Sequence, residues 1–142
     1  MRLSAKILKN VNNVNSWKFT SQCFVQEGQA NVVYIQLVDL DQSTSIANEK
    51  SAANPEHPIR YISQATVVSA VALFDALETD SQFSVTGTQP FASDKSIFKF
   101  DLTAAQVPNS GNLTITLTED GISKKFIVRS AISVETLNIG GC

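Results

Sequence analysis

Apolar and polar side chains alternate with a period of two in one short segment after another, and this rhythm constrains the fold more than any other feature of the chain. Val33, Ile35 and Leu37 share one side of the run 32–38, and the pattern returns at Phe83 and Val85, at Phe98, Phe100 and Leu102, and at Leu113, Ile115 and Leu117. Alternation places such side chains on one face of an extended strand, so each segment reads as a strand with one face turned to a core. The β-branched and aromatic content of 32–38 marks a central strand. Trp17, Phe19, Ser21, Cys23 and Val25 alternate in the same way, and Glu27-Gly28-Gln29 is short enough to return the chain. Strands 17–26 and 30–38 are therefore expected to pair. Glu119-Asp120-Gly121 predicts a second hairpin between 113–118 and 122–129, because Asp-Gly supplies the positive φ values of a type I′ turn. A last strand is expected over 131–136.

The segment 65–77 is ambiguous, since its alanines tolerate a helix and its valines favour a strand; it is read as strand through Phe74. The stretch 42–58 is long and polar, and Pro55 and Pro58 deny it regular structure, so it reads as an exposed excursion. Residues 108–111 mark a turn, and 103–107 one helical turn. Counting gives seven or eight short strands and no long amphipathic helix, which predicts an all-β antiparallel sandwich. At 142 residues with 43% hydrophobic side chains, one domain with its own core is expected. The expected boundaries are an N-terminal arm over 1–16, the sandwich over 17–136 and a tail over 137–142. Asn10, Asn12, Asn13 and Asn15 crowd Val11 and Val14, so the arm is expected to order only against a neighbour.

The residues that usually carry chemistry are scarce. His57 is the sole histidine and lies in the proline-bounded stretch, without a partnered nucleophile, so no catalytic set is assigned and the chain is read as non-enzymatic. Asp39, Asp41 and Ser43 begin like a calcium loop, but Thr44 stands where glycine is needed and Lys50 where the bidentate glutamate belongs. Phosphate-loop, dinucleotide and zincin motifs are missing, and no cofactor or metal is expected. Residues 1–26 carry four bases and no acid, whereas 27–142 carry seven bases and 13 acids. That polarity could dock the basic end on an acidic neighbour, and Arg2, Lys6 and Lys9 are the candidate interface residues. Four spread charges without aromatic interleaving do not make a specific nucleic-acid site. No run of 18 apolar residues predicts a membrane span. The start lacks an apolar leader core, so synthesis in a reducing cytoplasm is expected.

Cys142 follows Gly140-Gly141, whose flexibility gives the terminal thiol reach. It is the fourth interface candidate, as an intersubunit crosslink; an idle thiol and an internal bridge to Cys23 are the alternatives. Cys23 itself is expected to act as a small buried hydrophobe. Trp17, Phe19, Tyr34, Phe98 and Phe100 could form a sugar platform, but their alternation favours core packing.

Several phrases together, Tyr34-Ile35-Gln36-Leu37-Val38-Asp39, Arg60-Tyr61-Ile62, Thr88-Gln89-Pro90-Phe91 with Asp94, Ser96-Ile97-Phe98, and the run from Leu113 to Gly121, resemble small structural proteins of tailed bacteriophages. Among these are the immunoglobulin-like N-terminal modules of phage baseplate upper proteins. The resemblance implies an immunoglobulin-like sandwich made in the host cytoplasm and incorporated in the virion, in neck, tail or baseplate. Its partners would be other virion proteins and further copies of itself. A capsid decoration protein and a carbohydrate-binding adhesive module are the alternatives.

Overall fold

The computed structural model describes residues 3–9, 18–20, 22–26, 28–39, 59–75, 82–106, 108–109 and 111–135. Among these residues there is no helix, and ten strands form two sheets. The first sheet holds β1 (Leu3–Lys9), β2 (Lys18–Thr20), β4 (Asn31–Asp39), β5 (Ile59–Arg60) and β8 (Ile97–Leu102), in the order β2-β1-β4, with β8 and β5 also pairing β4. The second holds β3 (Cys23–Gln26), β10 (Ile122–Glu135), β9 (Gly111–Glu119), β6 (Val68–Asp75) and β7 (Gln82–Thr86), in that spatial order. Their facing sides bury one apolar core, built from Val33, Ile35, Leu37, Phe98 and Phe100 on one side and Ala72, Phe74, Leu113, Ile115 and Leu117 on the other. The period-two residues are thus the core, and Phe98 and Phe100 pack inside it rather than forming a platform.

The Asp120-Gly121 turn is present, with φ of 48° and 87°, between β9 and β10. The expected pairing of 17–26 with 30–38 is not. Its first half splits, β2 pairing β1 and β3 running parallel to β10 in the other sheet. The reason lies at the C-terminal end of β3. Asn31 accepts from the Gln26 amide at 3.1 Å and donates to the Gln26 carbonyl at 3.0 Å, closing the chain at the strand end as it crosses between sheets, while Gly28 takes φ 78°. Parallel pairing to β10 turns Cys23 and Val25 into the core.

Residues 3–9 also depart from expectation. They form β1, antiparallel to β4 from Leu3↔Asp39 to Leu8↔Tyr34, with Ala5, Ile7 and Leu8 buried, so this part of the expected arm belongs to the domain. The strands expected at 122–129 and 131–136 are one strand, β10, whose register shifts between Val128 and Ile132. Extra residues in a bulge bend a strand without ending it. At 103–106 the chain makes a turn closed by Gln106 N–H to the Thr103 carbonyl at 3.0 Å, not a helical turn. The 42–58 excursion, with Ser43 and His57, lies outside the described residues, as do Asp41 and Trp17.

Candidate interaction surfaces

Along one edge of β4 the hydrogen-bonding partner changes from β8 to β5 at Leu37. Its amide donates to the Ser96 carbonyl at 2.9 Å, and its carbonyl accepts from the Tyr61 amide at 3.0 Å. A partner change leaves polar groups to satisfy, and a buried network sits there on the outer side of the sheet. Arg60 donates to Asp94 at 2.7 Å. Gln36 donates to Ser96 at 3.0 Å and to Asp94 at 3.4 Å. The Ser96 amide donates to the other Asp94 oxygen at 3.1 Å, an Asx turn that shapes the chain entering β8. Asp94 is 3% exposed and Arg60 28%, so the ion pair lies at the network's wet end. Beside it Leu8 and Ile97 are buried with Tyr34 and Phe91 packed on them, a second small apolar cluster on this outer face.

The next residues carry the chain across to the second sheet, and a second polar group holds them. Tyr61 turns into the core while its hydroxyl donates to Glu119 at 2.6 Å; Ser63 donates to the same carboxylate, and Lys124 stands 3.7 Å from it. The Asp120 carboxylate accepts the amides of Thr66 and Val67 at 3.1 and 2.8 Å, and the Asp120 amide donates to the Val67 carbonyl at 2.9 Å. Desolvation raises the Tyr61 hydroxyl to about 12, helped by the hydrogen bond to Glu119 and its charge. Burial alone would also raise Glu119, but hydrogen bonds from Ser63 and Tyr61 and the charge of Lys124 outweigh it, so the net shift is downward. The side chains of both groups tie loops to strands.

The interface residues expected from the sequence are not brought into one patch. Lys6 and Lys9 both lie on β1, half-buried and exposed respectively, but their odd spacing puts them on opposite faces of the strand. Arg2 and Cys142 lie outside the described residues. Cys23 is buried as expected, but it is disulfide-bonded; the sequence contains one other cysteine, Cys142.

More exposed apolar surface lies elsewhere. Val67 is 67% exposed and Ile122 68%, on either side of the Asp120 turn. On the outer side of the second sheet Ile127 faces Thr114, which faces Leu73, which faces Ser84, a row across four strands. Its neighbouring row runs Lys125, Thr116, Val71 and Thr86. The alternation Thr114, Ile115, Thr116, Leu117, Thr118 contains this face as plainly as it contains the core, since the residues not in the core are the ones presented outward. No family model, curated protein or solved structure matches the chain.

Proposed function

We propose that the chain is a non-enzymatic structural protein of a tailed-phage virion, an immunoglobulin-like sandwich that works through repeated contacts with protein subunits in neck, tail or baseplate. The observation that carries this reading is where the resembling phrases fall. Gln36, Arg60, Asp94 and Ser96 come from four separate phrases and meet in one network, while Tyr61 meets Glu119 from a fifth. Tyr34, Phe91 and Ile97, from three of the same phrases, pack in the small outer cluster. Phrases scattered over the sequence thus fall at the two places where loops are clasped to the sheets, and this placement is what supports the reading.

The strand order supports the immunoglobulin-like part. In such sandwiches the last two strands and the third form one sheet, extended in variable-type domains by an added strand, and the first, second and fifth lie in the other. With the short β2, β3 and β5 set aside, the order β10-β9-β6-β7 and the pairing of β4 with β1 and β8 are compatible with that scheme. Fold alone does not assign a role, because sandwiches host many. Mass spectrometry of purified particles with copy-number measurement tests the reading: recovery at a fixed stoichiometry is expected, and a chain absent from particles rejects it.

A further inference from the structure

We propose that β7 is a self-association edge, through which two copies of this chain join their second sheets into one continuous antiparallel sheet. The inference deepens the proposed function, because it names the edge by which copies of the subunit would meet, and it rests on the assembly role only for its purpose.

Among the described residues β7 pairs with β6 alone, from Val71↔Thr86 to Asp75↔Gln82. The next step of that register brings Ala70 opposite Gly87, and the Gly87 amide donates to the Ala70 carbonyl at 2.8 Å. Bonded and non-bonded pairs alternate in an antiparallel ladder, so Val85 and Phe83 also direct their amides and carbonyls toward β6. Gln82, Ser84 and Thr86 then direct theirs away from it. Thr88, next in that series, has the same direction. It exchanges both of its backbone bonds with Lys99 of β8, at 2.9 and 2.8 Å, on the side away from β6. Beyond that single bridge the outward groups of 82–86 have no described strand to pair with.

Proteins usually guard such an edge with charge, proline or brevity. β5 is two residues long and ends in Arg60, β2 is only three residues long, and β8 carries Lys99 and Asp101. In the second sheet both edges lack charge and proline, but β3 is only the four residues Cys-Phe-Val-Gln, whereas β7, Gln-Phe-Ser-Val-Thr, is longer. It is also self-complementary. With a dyad through Ser84, that residue exchanges both backbone bonds with its own copy, and Gln82 and Thr86 exchange theirs with each other. Phe83 then lies opposite Val85 of the second copy, an aromatic and β-branched pair of the kind that stabilises sheets. Phe83 already stacks on Phe74 with ring centroids 5.3 Å apart, so the new pair would extend the existing core. A symmetric interface of this kind closes at two copies.

Sedimentation velocity and amide exchange of the purified chain test this. A concentration-dependent dimer is expected, in which the Ser84 amide becomes protected as the dimer fills. Ser84→Lys, which sets like charges across the dyad, and Ser84→Pro, which deletes the outward donor, should both lose the dimer while circular dichroism stays unchanged. If the proline variant does not fold, the lysine variant decides. A chain that stays monomeric over the accessible concentrations, a dimer that survives Ser84→Lys, or a Ser84 amide that exchanges freely in the dimer overturns the proposal. Particle recovery separates the two ideas: a monomeric chain still found in particles removes the edge and keeps the assembly role, whereas a Ser84-dependent dimer absent from particles does the reverse.

Discussion

Glu119 receives hydrogen bonds from Tyr61 and Ser63, so its ionisation is coupled to the attachment of the 61–67 crossover. Its folded-state value is lowered, hence its contribution to stability is present above the ordinary glutamate value of about 4.3 and is lost as pH falls through the lower folded value. Urea midpoints should therefore drop on acidification in that window, and Glu119→Gln should flatten the drop; an identical profile for the two proteins contradicts the coupling. Tyr61 has the opposite sign: its contribution is present below about 10 and is lost as pH rises toward about 12. At Gly87 the constraint is steric. A Cβ there would lie 2.7 Å from Cε1 of the fully buried Phe100 ring. Gly87→Ala must displace that ring, and a loss of about 1–3 kcal/mol in equilibrium unfolding is expected from such overpacking. Neither polar clasp is legible in the sequence. Arg60, Asp94 and Glu119 stand there in separate phrases with nothing to say that they meet their partners, and only the return of distant segments to the edge of β4 and the end of β9 joins them to those partners.

Among the elements, the strands around 32–38, 83–85, 98–102 and 113–117 are readable because their apolar residues alternate over a buried face, β6 is read despite an ambiguous composition, and the two-residue β5 is not read at all. β1 reads as part of an arm although Leu3, Ala5 and Ile7 alternate too; the asparagines after it draw the boundary too late. In the fold β1 lies between β2 and β4 and covers one edge of the central strand. Deleting residues 2–14 should therefore not yield a folded monomer. Loss of the β-sheet circular dichroism signal, or aggregation, is expected, because Ile35 and Leu37 lose their cross-strand neighbours Ile7 and Ala5 on a side the core cannot refill. A well-folded deletion variant with an unchanged melting curve would show β1 to be dispensable. β3 differs again: alternation declares it a strand, but its partner, β10, lies about a hundred residues away and runs parallel to it.

Across the complete fold, the disulfide at Cys23 is the longest-range covalent constraint available. The sequence contains one other cysteine, Cys142, outside the described residues, and a bond closed within the chain is the outcome to test. Closing a loop on the order of a hundred residues is worth about 4–5 kcal/mol in the chain-entropy description. The oxidised chain should run as one monomer band on a non-reducing gel with no alkylatable thiol, and it should lose stability on reduction; a ladder removed by Cys142→Ser would instead place the bond between subunits. The all-β class, the strands of the central core and the Asp-Gly hairpin are already contained in the amino-acid order, because period-two burial and positive φ are local properties written in neighbouring residues. Which strand lies beside which, how 122–135 passes through its bulge as one strand, and which polar residues meet are settled only by the assembled sheets. Pairing depends on competition among distant edges of similar apolar character, and that competition is resolved only when both sheets close on the same core.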